Sequence, residues 1–240
     1  MKNEVMELAR LLKSSKHVVV LTGAGMDTES NIPDFRGKEG WWKNRDPRTV
    51  ATIDTFHENH SLFHQFYSMR LKMLEGIKPH RGHFILAELE NKGMIQSIAT
   101  QNVAGLHTMA GSRQVYELHG NIRNIRCNNC KHGAGVENFL EKETCQFCGK
   151  DALRPGVVLF GEMLPSEAWD GALRDIEKCD LLMVIGTSLE VYPVNQLPML
   201  TKGKTVLINM EDRGSEGLFD LKIIGKAREV LEELHNTLEG

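Results

Sequence analysis

Apolar residues along this chain gather into short continuous runs, separated by stretches in which they recur every three or four positions. The runs lie at 18–22 (VVVLT), 95–100 (IQSIAT), 115–118 (VYEL), 157–160 (VVLF), 181–186 (LLMVIG) and 205–209 (TVLIN). They are rich in β-branched residues and bounded by glycine or polar positions, so they predict strands buried on both faces. Helical periodicity falls between them, at 4–12, 83–89, 166–177, 193–200 and 226–238. Such alternation predicts an α/β fold, a mostly parallel sheet with helices on both sides. Two regions break the rhythm. Residues 38–80 contain no strand-like run and much aromatic, helical material, and residues 121–153 hold four of the five cysteines. Both are expected to be insertions that pack together as a small second domain, leaving 1–37, 81–120 and 154–240 as the large one. No internal repeat is visible.

Composition narrows the function classes. The chain has 240 residues, 41% of them hydrophobic, and a formal net charge of −3. That balance gives no strong attraction to nucleic acid or to an anionic membrane. No apolar run approaches the ~20 residues of a spanning helix. The first sixteen residues mix acids among their apolar positions and predict an amphipathic helix, not a signal peptide. A cytoplasmic protein is expected, in which five cysteines point to metal or thiol chemistry before disulfides.

The turn after the first strand carries the first chemical signal. Its sequence, TGAGMDTES, places Gly23, Ala24 and Gly25 between a buried strand and a helical start. That arrangement offers backbone N–H groups to a phosphate, although the full GxGxxG spacing is absent and a PDFRG segment follows instead. The cysteines carry the second signal. Cys127 and Cys130 form one C-x2-C pair, and Cys145 and Cys148 form another. Two such turns can complete a tetrahedron around zinc, with no position left for water or substrate, so the ion would be structural. Four free thiols or a redox pair is the alternative. Cys179 reads as a small core residue.

Further segments fall at predicted strand ends: TQNVAGLH (100–107), VYELHG (115–120), RPGVVLFGEMLP (154–165) and GTSLEVYPV (186–194). In open parallel sheets, ligands bind beyond the carboxyl ends of strands. In their order, and in their placement around the cysteine pairs, these motifs closely resemble the sirtuin family over nearly the whole chain. The resemblance implies a Rossmann-like doubly wound parallel sheet with a small second domain made of a helical insertion (38–80) and a zinc ribbon (121–153). It implies an enzyme that removes acyl groups from lysine while consuming NAD, giving nicotinamide and O-acyl-ADP-ribose. By the same resemblance, Gly23, Ala24 and Gly25 approach the pyrophosphate. Asp34, Phe35 and Arg36 belong to a cofactor loop, and Gln101 and Asn102 hold the nicotinamide ribose. Gly186, Thr187 and Ser188 contact phosphate and ribose, Asn209 and Glu211 match the adenosine ribose site, and Ala227 lies near the adenine. Val158 and Phe160 line the acyl-lysine tunnel, while Gly161, Glu162 and Val191 of the LEVY segment clamp the substrate peptide as an added strand.

His119 is the expected general base, with Asn102 beside it as a catalytic partner, because an imidazole suits proton transfer near neutrality. In the helical insertion, Tyr67 and Arg70 stand three apart and would share a helix face. This Tyr-x-x-Arg pair resembles the branch that removes succinyl and malonyl groups, where it reads the acyl carboxylate; a surface pair on an amphipathic helix is the alternative. Two positions depart from the family pattern. Ala104 stands where an aspartate is usual, and Asp27 stands where a small neutral or hydroxyl residue is usual. Asp27 is expected to cap the following turn. The departures keep open an ADP-ribosyltransferase, an NAD glycohydrolase or a weakly active NAD-binding sensor on the same scaffold. Acyl-lysine peptides are the expected partners, without membrane or nucleic acid, and no oligomeric state follows from the residues.

Overall fold

The computed structural model describes residues 2–33, 45–212 and 217–240. Helix α1 (Lys2–Ser14) leads into β1 (Val18–Thr22). Three helices of the insertion follow, α2 (Pro47–Val50), α3 (Ile53–Glu58) and α4 (His60–Met73), then α5 (Arg81–Asn91), β2 (Ser97–Thr100), α6 (Leu106–Met109) and β3 (Val115–Glu117). The cysteine region contributes β4 (Gly120–Cys127), β5 (Gly133–Ala134), α7 (Val136–Leu140) and β6 (Leu153–Val157). The chain ends with α8 (Ser166–Lys178), β7 (Leu181–Ile185), β8 (Lys204–Asn209), β9 (Leu221–Ile224) and α9 (Ala227–Glu239).

Six strands form one parallel sheet in the order β3-β2-β1-β7-β8-β9. The chain winds outward from β1 in one direction through β2 and β3, then returns to its other side through β7, β8 and β9. This is the doubly wound arrangement expected from the sequence, with its switch point between β1 and β7. Alternate residues of β1 serve two cores. Val18 and Val20 pack with α1, α5 and α9, while Val19 and Leu21 pack with α8 on the opposite face. A strand buried on both sides must be apolar throughout, which is why VVVLT reads as an unbroken run.

The antiparallel strands β5-β4-β6 make a second, smaller sheet. It shares one apolar cluster with the helical insertion, in which Phe63, Phe66 and Tyr67 of α4 meet Ile122, Phe139 and Leu153. His64 of α4 seals the contact, its Nε2 2.6 Å from the Phe139 carbonyl.

Three expectations need correction. The 157–160 run is not a strand: β6 ends at Val157, because the next residues change partners. Val158 N–H bonds the His119 carbonyl, and Phe160 N–H bonds the Ala51 carbonyl of the insertion. The stretch at 193–200 is a 3₁₀ segment, Val194–Met199. Pro198 lies within it and removes the N–H that an α-helix would use there. Strands β4 and β9 went unforeseen, because their apolar positions are interrupted by Asn121, Arg123 and Lys222. No helix among the described residues is long and apolar enough to cross a membrane.

Candidate active site and metal centre

The carboxyl ends of β1, β2 and β7 meet at the switch point. Gly23 N–H bonds the Ile185 carbonyl at 3.0 Å, and Gly25 N–H bonds the Gly186 carbonyl at 2.7 Å. Space here is tight: a Cβ on Gly25 would stand 2.8 Å from Gly186 Cα, and one on Gly186, at φ +63°, would collide with the Met26 nitrogen. The glycines of GAG are thus required first by the approach of two backbones, which leaves the turn open at the crevice. The amides foreseen from QN are built into the same corner. Gln101 Nε2 donates to Thr187 Oγ1 at 2.8 Å, and Asn102 Nδ2 donates to the Gly23 carbonyl at 2.9 Å. Asn209 Nδ2 reaches the Thr187 carbonyl at 3.4 Å and the Glu211 carbonyl at 3.0 Å. Ala227 is buried at the start of α9. Three loops expected to hold one dinucleotide are therefore tied to one another. Asp34, Phe35 and Arg36 lie outside the described residues.

His119 follows β3 and enters this corner half-buried. Its Nδ1 lies 3.1 Å from the Gln101 carbonyl. A carbonyl can only accept, so Nδ1 carries the proton and Nε2 holds the lone pair. Nε2 makes no hydrogen bond among the described residues and is not sealed from solvent. Burial lowers the imidazole pKa below its ordinary 6.5, against the opposing effect of the Gln101 carbonyl. A neutral ring with a free Nε2 is the protonation state of a general base.

The cysteine centre is built from two matching turns. Cys127 N–H bonds the His132 carbonyl and Lys131 N–H returns to the Cys127 carbonyl. Cys145 with Lys150, and Gly149 with Cys145, repeat the pattern. Lys131 and Gly149 both take left-handed backbone angles, φ +66° and +68°. The four Sγ atoms lie within 4.8 Å of one another, with Cys127–Cys148 at 3.7 Å and Cys130–Cys145 at 3.5 Å. A tetrahedral ion with Zn–S bonds of ~2.3 Å needs edges of roughly 3.8 Å, so the donor set fits zinc. Backbone N–H groups lower the Cys148 and Cys145 thiols, while their neighbouring sulfurs push Cys130 up, so the four share protons that a bound cation would displace.

The Sir2 family model matches residues 23–193. The chain belongs to the Sir2 family. It is 42% identical to the NAD-dependent protein deacylase 2 of Archaeoglobus fulgidus, over 98% of this chain and 96% of that one. It is 44% identical to the NAD-dependent protein deacetylase 1 of Geobacillus kaustophilus, over 97% and 98%. Its fold superposes with a TM-score of 0.91 on a crystal structure of a Sir2 homolog–NAD complex, at 38% identity, covering 97% of this chain and 93% of that one.

Within this Sir2 framework one side chain, Asp27, is placed otherwise than expected. Asp27 makes no cap bond to the turn after it. It is buried, with Oδ1 3.1 Å from Nε2 of the fully buried His83. The cap reading failed because α5, which brings His83, is remote in sequence. Glu162, expected to clamp the peptide as part of an added strand, turns its carboxylate inward. Both its oxygens meet Arg154, at 2.6 and 2.8 Å, and Oε2 also accepts the Leu159 N–H. Arg154 is 0% exposed and adds a bond to the Val157 carbonyl. What Glu162 leaves for a substrate is backbone. Sequence reasoning missed Arg154, whose one signal was a charge at the start of an apolar run. Phe160, Gly161 and Val191 remain at the surface of the substrate loops, with Phe160 and Gly161 exposed and Val191 half-buried.

His83 also packs against His80 and His107, with ring centroids 4.3 and 4.9 Å away. His107 is buried, and its Nε2 lies 3.0 Å from Thr22 Oγ1. Burial pushes its pKa well below 6.5, helped by His83 and His80. The unfolded chain therefore binds a proton below pH 6.5 that the folded chain refuses. Stability is complete above that pH and falls as acid is added, by about 1.4 kcal/mol per unit for this histidine until its folded pKa is reached. Urea midpoints measured from pH 7.5 to 5.5 should decline, and less steeply in His107→Gln. Parallel profiles for the two proteins would contradict this.

Proposed function

We propose that the protein is an NAD-dependent protein lysine deacylase. The reading rests on His119, whose Nδ1 is engaged by the Gln101 carbonyl and whose neutral Nε2 is left free in the corner where the GAG, QN and GTS segments meet. Bound NAD would supply a ribose carbon bearing nicotinamide as a leaving group, a site that an acyl-lysine oxygen can attack. Backbone N–H groups of the GAG turn favour the pyrophosphate. Gln101 and Asn102 orient the ribose, and His119 Nε2 takes the proton of the ribose hydroxyl that attacks the acyl carbon; one water is consumed as the C–N bond breaks, so the lysine leaves as the free amine and the acyl group stays on ADP-ribose as an ester. Val158, whose N–H bonds the His119 carbonyl, sets the acyl-lysine tunnel beside the base. Incubation with NAD and an acyl-peptide panel, read by mass spectrometry, should give O-acyl-ADP-ribose and free lysine. Free ADP-ribose, or ADP-ribose attached to protein, with no acyl ester would support a glycohydrolase or transferase instead.

The acyl preference is proposed from Tyr67 and Arg70. Tyr67 is 4% exposed, in the cluster that also contains Val103, Ala104 and Leu159. Burial raises its pKa and lowers that of Arg70, whose guanidinium lies 5.8 Å from the centre of the Phe66 ring. A desolvated guanidinium gains strongly from a carboxylate, which it meets with a planar fork. The enzyme is expected to favour succinyl- or malonyl-lysine over acetyl-lysine. Arg70→Met should lower kcat/KM on the succinyl peptide at least tenfold and leave the acetyl peptide within about twofold, the scale of a lost charge-assisted bond. Equal values on both peptides, unchanged by Arg70→Met, would remove the preference.

A further inference from the structure

We propose that a groove beside the substrate loop is a second subsite for the substrate peptide, in which Arg126 pairs with an acidic side chain near the acylated lysine. The inference rests on the deacylase reading and names part of its substrate. The groove has a volume of about 530 Å³, and its lining includes Arg126, Gly156, Val158, Glu162 and Met163. It adjoins both expected parts of the substrate site, because Val158 belongs to the acyl-lysine tunnel and Glu162 to the peptide clamp. Its size falls in the range that encloses small groups or a few side chains.

The charges in this groove do not balance. Glu162 is its carboxylate, and both oxygens are taken by Arg154 and the Leu159 N–H. Arg154 and Glu162 cancel, with Arg154 wholly buried beneath the loop. Arg126 stands on β4 across from Arg154 in register. It is half-buried and makes no hydrogen bond or ion pair among the described residues; its charge acts on Glu162 only from a distance, helping the stronger Arg154 contacts, against the effect of burial, hold that carboxyl below its ordinary range. One positive charge is thus left in a partly desolvated cleft that a peptide strand must pass. Glu167, the nearest acid along the chain beyond the Pro165 end, is exposed in the first turn of α8. Met163, 93% exposed, forms an apolar outer wall. Cation and apolar wall together fit the stem and head of a glutamate or aspartate better than a lysine. An extended peptide advances ~3.3 Å per residue with alternating side chains, so three positions on either side of the acyl-lysine sample about 10 Å of strand each way.

The test uses peptides carrying one acyl-lysine and, in turn, Glu, Ala or Lys at each of three positions on either side. At one or two of those positions the Glu peptide should show a roughly fivefold lower KM than the Lys peptide, with kcat unchanged, the size of a half-buried charge pair. Arg126→Gln should abolish the difference and Arg126→Glu should reverse it, with the Ala peptide and the KM for NAD within about twofold of wild type. Met163→Glu, which leaves the cysteine turns untouched, should weaken the Glu peptide specifically and decides the matter if the Arg126 variants lose zinc. The same ranking in wild type and variants would overturn the proposal. Fluorescence anisotropy of labelled peptides separates it from the activity. Arg126-dependent binding without acyl-ADP-ribose keeps the groove and rejects the deacylase, while turnover without charge preference does the reverse.

Discussion

Replacement of His119 by alanine should reduce acyl-ADP-ribose formation by two to four orders of magnitude, the range for loss of a positioned general base. That corresponds to about 3–5 kcal/mol of transition-state stabilisation. The loss should appear in kcat with NAD binding nearly unchanged, because the ring bonds the Gln101 carbonyl and leaves the Gly23, Thr187 and Asn102 contacts intact. The wild-type pH profile supplies a second readout. Burial lowers the His119 pKa, so the acid limb of the rate should have its midpoint below 6.5 and activity should be flat through neutrality. His119→Ala should lose that limb. A variant with near-normal kcat, or a limb that persists without the imidazole, would assign the base elsewhere.

Removing zinc should sharply weaken use of the acyl peptide while leaving the parallel sheet folded. Structural zinc contributes apparent binding energies of about 10–16 kcal/mol, comparable to or larger than the whole stability of an ordinary domain. Without it, β4, β5 and β6 have only short pairings and the cluster shared with α4 to hold them. The consequence reaches the substrate loop through Arg154. This residue lies on β6, whose Leu153 pairs with Cys127, and it holds the Glu162 carboxylate that shapes residues 159–162. After chelation, or in Cys145→Ser, hydrogen exchange should accelerate across β4–β6 and the 158–162 loop. Amides of β1, β7 and β8 should stay protected, since they belong to a separate sheet. The KM for the acyl peptide should rise at least tenfold. Unchanged exchange and activity in a demonstrably metal-free protein would show that the ribbon stands without its ion.

Ala104 illustrates how a local departure is read in three dimensions. In the sequence it is a missing carboxylate. In the structure it is buried in the apolar cluster with Tyr67 and Leu159. Restoring an aspartate there would therefore put a carboxylate among hydrocarbon, where it needs hydrogen-bond partners to be tolerated.

Much of the architecture was legible from the residues because its causes are local or periodic. A strand buried on both faces must be apolar at every position, so VVVLT, LLMVI and TVLIN announce the parallel sheet. Paired cysteines three apart can share an ion from one turn, so the metal centre needs no knowledge of the fold. Strand ends followed by small and polar residues marked the crevice, and His119 with them. The tertiary structure decided what depends on residues far apart in the chain. Asp27 met His83, 56 positions away, instead of its own turn; the Glu162 carboxylate went to a buried arginine and left its backbone to the substrate loop; and residues 158–160 exchanged one strand partner for the insertion and the loop that carries His119. A buried carboxylate takes whichever donor the packing brings within reach, and that choice is made by the fold as a whole.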